Sequence, residues 1–177
     1  MQPVLQEIHP FKLIQRALDA TDNRTTESVL SLANGYMGAR GNYEEFFSGD
    51  TLKGTYFAGV WVPDKTRVGW WKNGYPLYFG KVINAPDFLS VDLLLDGQRL
   101  DLAAAAITDF YREVDMETGI MQRHIQMRTP KGDLVVRSER FFSMRLREVA
   151  ATRYTLESAG FTGRVQLRFP LDGNVHN

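Results

Sequence analysis

The sequence predicts an all-β fold in which two antiparallel sheets pack together as a β-sandwich. From about Phe79 onward, turn residues recur at short intervals, and the segments between them alternate apolar with polar side chains. Many short strands joined by frequent turns are typical of a sandwich rather than of an α/β fold. Helical patterns are poor by comparison, and the sequence contains no visible internal repeat.

The best-defined turn is Asp96-Gly97. It follows a row of apolar residues that occupy one face of an extended chain: Leu89, Val91, Leu93 and Leu95. An Asp-Gly pair favours a tight hairpin because glycine tolerates a positive φ. We therefore expect the returning strand at 98–102.

Further strands are expected between the later turns. The pattern places them at 107–114, 120–128, 134–142, 147–156 and 165–169, with turns at 115–119 and 129–132 and a polar corner at 158–163. Two segments are ambiguous. Residues 10–20 are compatible with a short helix or with an edge strand. The alanine run 103–106 favours helix by propensity, but four residues cannot hold a helix alone.

Composition argues against several classes of function. The chain has 177 residues, the size of one domain, and its 21 basic and 21 acidic residues cancel, so no broad field attracts nucleic acid or a membrane surface. The absence of cysteine excludes disulfides and thiolate chemistry. No stretch approaches the roughly 20 apolar residues of a membrane helix, and the first twenty residues lack a signal-peptide core. A cytoplasmic protein without metal or cofactor is expected.

The chain stops at Asn177, a few residues after a strongly patterned strand, without a cap or polar tail. Natural termini are usually less abrupt. We therefore expect this sequence to be a fragment of a longer protein.

A glycine-rich stretch, ESVLSLANGYMGARGNYEE at 27–45, is the first candidate site. Its glycines Gly35, Gly38 and Gly41 are spaced three residues apart, and Asn34 precedes the first. Glycine and asparagine permit left-handed backbone and close chain approach, so we interpret these four residues as a structured turn. A phosphate cradle is the alternative, but the spacing is not that of a phosphate loop, and no Lys-Ser/Thr pair follows.

The second candidate is the aromatic stretch at 54–80, which contains all three tryptophans of the chain among charged and amide side chains. Trp, Tyr and Arg are enriched in protein interfaces, whereas aromatic rings beside polar groups also suit sugars. Packing in the core is the third alternative. The candidate residues are Trp61, Arg67, Trp70, Trp71, Lys72, Asn73 and Tyr75.

Acid and base residues show no catalytic arrangement. Adjacent Glu44 and Glu45 would face opposite sides of a strand. Other carboxylates are scattered and are expected to be solvated or capping groups, namely Asp87, Asp92, Asp101, Asp109 and Glu113. The histidines His9, His124 and His176 lack metal-ligand spacing, and His124 is expected to be exposed. We expect no catalytic residue and no metal ligand in this chain.

Three of these segments resemble glycoside hydrolase family 65. The run 27–45 is similar to that family's ES-x-x-SLGNGY-x-G-x-RG pattern, with Ala33 where glycine is usual. The run 48–94 resembles the maltose phosphorylases of the family in particular. The closing LDGNVHN at 171–177 is similar to the family's S-x-DG-x-V-N segment.

This resemblance implies an N-terminal sandwich of the galactose-mutarotase type, held here only in part, followed by a helical linker, an (α/α)6 barrel and a small β-domain. Such enzymes cleave an α-glucoside with inorganic phosphate and invert the anomeric centre, so that maltose yields β-glucose 1-phosphate and glucose. The general acid and the phosphate-binding residues lie in the barrel, and no position of this sequence inherits those roles.

For this chain the resemblance implies a supporting domain of a phosphorylase. Its expected partners are the catalytic barrel of the same protein, a second copy in a homodimer, and the α-glucoside substrate. The part of the aromatic stretch from Trp61 to Tyr78 is expected to leave the sandwich and reach the active-site rim or the dimer partner, because its charges could not be buried in an apolar core. An independent carbohydrate-binding module is the alternative.

Overall fold

Strands are the main regular elements of the computed structural model, which describes residues 7–66 and 76–175. In chain order the elements are β1 (Glu7–His9), β2 (Lys12–Gln15), α1 (Asn23–Val29), β3 (Leu32–Ala33), β4 (Met37–Ala39), β5 (Thr55–Phe57), β6 (Trp61–Lys65), β7 (Tyr78–Val82), β8 (Asp92–Leu95), β9 (Gln98–Arg99), β10 (Ala106–Asp115), β11 (Ile120–Thr129), β12 (Gly132–Phe142), β13 (Ala150–Ala159) and β14 (Val165–Arg168).

The strands form one large sheet and three small ones. The large sheet has the order β1-β2-β10-β11-β12-β13, and every neighbouring pair is antiparallel. Two three-stranded sheets, β14-β8-β9 and β3-β4-β5, lie on its inner face, and β6 pairs with β7 as a separate hairpin. The prediction of an all-β antiparallel sandwich is therefore confirmed.

The main core fills the space between the large sheet and β8. Ile125 of β11, Val136 of β12 and Leu93 of β8 are fully buried there, joined by Tyr43 and Phe47 from the connection between β4 and β5. A smaller cluster, built on Met37 and Ala39 of β4 with Leu89 and Phe142, packs the sheet β3-β4-β5 onto the large sheet. The two layers are thus held by side chains from both inner faces.

The hairpins follow the sequence pattern closely. Asp96 and Gly97 have φ values of 50° and 83°, and Leu95 pairs with Gln98, which confirms the two-residue hairpin between β8 and β9. The returning strand expected at 98–102 is shorter: β9 ends at Arg99, and the Leu102 N–H donates to the Phe46 carbonyl (2.9 Å) instead. The strands expected at 107–114, 120–128 and 134–142 correspond to β10, β11 and β12. The strand expected at 147–156 begins only at Ala150, because residues 143–149 form a loop closed by a hydrogen bond from the Ser143 N–H to the Val149 carbonyl (2.9 Å).

Two local expectations differ from the structure. Residues 10–20 contain strand β2, which lies between β1 and β10 and is therefore neither a helix nor an edge strand. The helix α1 was not predicted; its seven residues lack an apolar stripe, and its buried members are the polar Asn23, Thr26 and Glu27. Glu27 accepts hydrogen bonds from the Leu52 N–H (2.8 Å) and the Asn23 amide (2.8 Å), so polar contacts rather than propensity hold this helix.

Buried charges join the segment 41–45 to the large sheet. The guanidinium of Arg123 on β11 binds both oxygens of the Glu45 carboxylate, at 2.6 and 2.7 Å, and reaches Glu44 at 2.9 Å. Tyr154 on β13 donates its hydroxyl hydrogen to Glu45 at 2.6 Å. The expectation that Glu44 and Glu45 face opposite sides is wrong, since this segment is not a strand and both carboxylates converge on Arg123.

Two more arginines of the same sheet face hold the backbone of this segment. Arg112 on β10 donates to the Gly41 carbonyl at 2.6 Å, and Arg140 on β12 donates to the Asn42 carbonyl at 2.9 Å. All three arginines are almost completely buried. Because a buried guanidinium is costly unless it is paired, these contacts fix the position of segment 41–45 on the sheet.

The pKa of Glu44 reflects this environment. Burial by itself raises the pKa of the carboxyl, but the guanidinium groups of Arg123 and Arg140 outweigh burial and hold the pKa below its ordinary value of 4.5. The carboxylate form is therefore the one that the folded state stabilises.

We expect Glu45→Gln to lower the free energy of unfolding by about 3 kcal/mol, because it leaves the Arg123 charge buried without its bidentate partner. Urea unfolding of the variant measures this. Glu148→Gln is the matched control, since Glu148 pairs with Arg147 at the surface at 2.8 Å, and it should change stability little. Equal losses in the two variants would contradict the role given to Glu45.

We expect stability to fall as the pH drops below the unfolded-state pKa of Glu44, near 4.5. A carboxyl whose folded pKa is lowered contributes its full stabilisation above the unfolded pKa and loses it as the pH falls through the folded pKa. Urea titrations between pH 7 and pH 3 test this. A Glu44→Gln variant, less stable at pH 7, should lose less stability on acidification than the parent chain.

We expect Gly132→Ala to destabilise the fold by about 2 kcal/mol or more, through backbone strain and steric overlap. Gly132 begins β12 with φ at +110°, and a Cβ there would lie 2.2 Å from the Gly160 carbonyl oxygen. Gly173→Ala is the control, because Gly173 has no atom within 4 Å of that position and no positive φ. Thermal unfolding should separate the two variants, and a neutral Gly132→Ala would refute the steric argument.

Candidate functional site

The side chain of Asn34 organises the turn between β3 and β4. Its Oδ1 accepts hydrogen bonds from the N–H groups of Tyr36 (3.1 Å) and Met37 (2.9 Å). Its Nδ2 donates to the carbonyls of Ser143 (2.7 Å) and Arg147 (3.0 Å). Asn34 therefore closes the turn and also ties it to the loop between β12 and β13.

The three glycines of this stretch meet different spatial demands. Gly35 has φ at +83°, a conformation that other residues adopt only with strain. A Cβ on Gly38 would lie 2.8 Å from the Ala33 Cβ, and one on Gly41 would lie 2.8 Å from the Leu30 carbonyl oxygen. Close approach of the Ala33 side chain thus accounts for Gly38, and close approach of the Leu30 backbone accounts for Gly41.

At the end of this stretch, the backbone N–H groups that a phosphate cradle would need already donate within the protein. The Gly41 N–H donates to the Glu27 carbonyl at 2.7 Å, and the Arg40 N–H donates to the Gly54 carbonyl at 2.9 Å. Amides that already donate within the protein have no hydrogen to offer a phosphate oxygen.

Trp61 lies beside the turn between β3 and β4 that contains Asn34 and Gly35. It begins β6, pairs with Val82 of β7, and more than half of its surface is exposed. A shallow, mostly apolar groove of about 350 Å³ runs between Trp61 and the turn, with Gly35, Tyr36 and Phe57 among its lining residues. The folded chain therefore brings the glycine-rich stretch and the start of the aromatic stretch onto one surface.

Residues 67–75 of the aromatic stretch lie outside the described residues. This applies to six of the seven candidates named above: Arg67, Trp70, Trp71, Lys72, Asn73 and Tyr75. Of the three tryptophans, only Trp61 can be placed on the surface described here.

The buried carboxylates of the described residues all have partners within the protein. Glu44 and Glu45 bind Arg123; Glu113 pairs with Lys12 at 3.0 Å, and Asp87 with Lys53 at 3.0 Å. The expectation that Glu113 is a solvated or capping group is wrong. Asp87 does cap the Leu89 N–H at 2.9 Å but is buried as well. None of these acids faces an open cavity as a free proton donor.

Electrostatics keep Asp87 ionised. Burial raises its pKa, but the Lys53 ammonium and the hydrogen bonds from Ser90 and the Leu89 N–H outweigh it, so the pKa lies below its ordinary value. His124 is partly buried rather than fully exposed, and it contacts Asp109 at 3.3 Å on the outer face of the large sheet. Within residues 7–66 and 76–175, no group of three or more acidic or histidine side chains could hold a metal ion.

The loop 143–149 is the surface feature that the sequence pattern missed. It exposes Met144, Leu146 and Val149 beside the Asn34 turn. The segment SMRLREV was interpreted partly as strand, but three apolar residues in a chain reversal are a signal that could have identified an exposed apolar loop. No helix in the described part of the chain is long or apolar enough to cross a membrane.

Comparison with known proteins identifies the family of this fold. Residues 13–177 match the glycosyl hydrolase family 65, N-terminal domain. The maltose phosphorylase of Bacillus subtilis is 48% identical over 173 residues, which are 98% of this chain and 23% of that protein. The alpha,alpha-trehalose phosphorylase of Thermoanaerobacter brockii is 31% identical over 96% of this chain and 23% of its own length.

A solved structure agrees with these sequences. The putative kojibiose phosphorylase from human microbiome superposes with a TM-score of 0.75 at 27% identity, covering 86% of this chain and 20% of its own. The chain thus spans less than a quarter of the length of these relatives. The match over residues 13–177, the identities and the shared fold together show that this chain belongs to the glycosyl hydrolase family 65, as its N-terminal domain.

Proposed function

We propose that this chain is the non-catalytic N-terminal domain of an inverting glycoside phosphorylase. The parent enzyme would cleave an α-glucoside with inorganic phosphate; from maltose it would release β-glucose 1-phosphate and glucose. The observation that carries the non-catalytic role is that every buried carboxylate of the described residues is bound by a partner in the protein. The identity to maltose phosphorylase supports maltose as the substrate.

The chemistry of the reaction is consistent with this division. An inverting hydrolase needs a general acid and a second carboxylate that activates water. Phosphate is already an anionic nucleophile, so one proton donor and a phosphate-binding pocket suffice. We place both in the remaining three-quarters of the parent protein, in an (α/α)6 barrel that lies outside residues 1–177.

The partners of this domain follow from the same proposal. It would support the barrel of its own chain, contribute to the rim of the active site, and take part in a homodimer. Inorganic phosphate would be the co-substrate of the parent enzyme, without a metal or organic cofactor, and the protein would work in the cytoplasm. The balanced charge of the chain supports the absence of nucleic-acid and membrane partners.

An independent carbohydrate-binding module is the second candidate. The observation that favours it is the exposed ring of Trp61 beside a groove of about 350 Å³, since indole rings stack on sugar C–H faces. The two candidates differ in what the 177-residue chain does with a glucan in solution.

The parent enzyme should release β-glucose 1-phosphate from maltose and phosphate, whereas the 177-residue chain should release none. Phosphate-dependent release, followed by enzymatic assay and by NMR of the anomeric proton, measures both. Trehalose and kojibiose serve as comparison substrates because relatives are named for them. Product formation by the 177-residue chain alone would overturn the non-catalytic assignment.

Binding of maltooligosaccharides to the 177-residue chain should be undetectable if it is a supporting domain. Tryptophan fluorescence is the measurement, because all three tryptophans lie in the aromatic stretch. A saturable change that disappears in Trp61→Ala, but persists in the control Phe11→Ala, would establish the carbohydrate-binding alternative instead.

A further inference from the structure

We propose that one apolar surface of this domain packs against the part of the parent chain that lies outside residues 1–177. The surface has three parts: the groove lined by Gly35, Tyr36 and Phe57, the strand ends Trp61 and Val82, and the loop residues Met144, Leu146 and Val149. We call it the Trp61–Met144 surface. The inference rests on the proposed function and goes further, because it names the face through which the domain works.

Hydrogen bonds and side-chain contacts connect the three parts of this surface. Asn34 closes the turn at the groove and donates to the Ser143 and Arg147 carbonyls of the loop 143–149. The Arg147 guanidinium also stacks on the Tyr36 ring, 4.9 Å from its centroid. On the other side of the groove, Trp61 and Val82 share its lining with Tyr36. The residues on both flanks are therefore held in fixed positions relative to the groove.

The apolar side chains of this surface are more exposed than apolar side chains usually are in a folded domain. Met144 is 82% exposed, Leu146 58%, Val82 58% and Trp61 57%, although these are side chains that folding normally buries. Scattered apolar residues need no explanation, but a cluster around a groove is typical of a contact surface. The glycine-rich turn contributes little side chain to the groove, so a partner can approach the backbone closely.

The hairpin β6–β7 gives a second reason for a partner. Within the described residues it pairs with no other strand. Trp61 and Tyr78, which lie on the same hairpin face as Val82, are both largely exposed. An isolated two-stranded hairpin is marginally stable in water and needs packing against another element. That element would cover the Trp61 side of the hairpin.

The occupant we assign is the rest of the same chain. This domain spans 23% of the maltose phosphorylase and 20% of the kojibiose phosphorylase structure, so a parent protein of similar length would have about three-quarters of its chain available to dock on this face. A sugar would not cover this surface well, because Met144, Leu146 and Val149 offer no ring for stacking and no partner for hydroxyl groups.

The test is hydroxyl-radical footprinting of the full-length parent protein, read by mass spectrometry at two methionines. From the exposed fractions in this domain, Met144 (82%) should oxidise faster than Met116 (51%), which lies outside the Trp61–Met144 surface, in the turn between β10 and β11 beside Phe11. If the surface is docked, the order reverses: Met144 should oxidise roughly tenfold more slowly than Met116, since oxidation follows exposure. Trp61 should be protected together with Met144.

A pair of variants controls for general damage. Leu146→Asp places a charge inside the proposed contact and should restore oxidation of Met144. Phe11→Asp, a change at a similarly exposed apolar residue outside the surface, should leave Met144 protected. Fast oxidation of Met144 in the unaltered parent protein would overturn the proposal.

Other occupants produce different results. Protection of Met144 that disappears when the parent protein is diluted into monomers would assign the surface to a second copy and overturn the assignment made here. Protection that appears only with added maltooligosaccharide would assign it to a sugar. A parent protein that does not phosphorolyse α-glucosides would contradict the proposed function. The protection of Met144 is measured without any activity assay, so it tests the docking proposal separately.

Discussion

The contact of Arg123 with Glu44 and Glu45 is the constraint on which the rest of the structure depends. A guanidinium and two carboxylates are buried together between the sheets, where each alone would be too costly to keep. Their geometry fixes the connection between β4 and β5 against β11. Arg112 and Arg140 then clamp the adjacent backbone of Gly41 and Asn42 from the neighbouring strands.

The arginine contacts with segment 41–45 explain why the groove at the glycine-rich stretch has a fixed position on the sandwich. The segment held by the arginines begins where the glycine-rich stretch ends. The stretch itself is tied down at its other end by Asn34, which binds the loop 143–149. Between these two attachments the backbone forms a groove rather than a mobile loop. Trp61 of the hairpin β6–β7 also lines this groove. The apolar surface therefore has a fixed shape that a partner can match.

The family 65 relatives extend well beyond the region that this chain matches. The domain has the fold of the family's N-terminal region, and its relatives are four times its length. Its buried acids Glu44, Glu45, Glu113 and Asp87 are each paired with a basic side chain of the same fold. A domain whose buried charges are paired and whose exposed groove is apolar is consistent with the proposed role in support and docking.

The sequence by itself determined the long strands β10, β11 and β12 and the hairpin turn between β8 and β9. Alternation of side chains is a local property, and the Asp96-Gly97 turn depends on the φ angles of two residues, so both could be predicted from neighbouring positions. The glycine-rich and aromatic stretches could likewise be identified from composition alone. Only the tertiary structure decided that Glu44 and Glu45 converge on Arg123, nearly eighty residues away, and that Asn34 binds the loop at 143–149. Such contacts depend on how the sheets pack, because the burial of a charge is set by distant partners and not by the residues beside it.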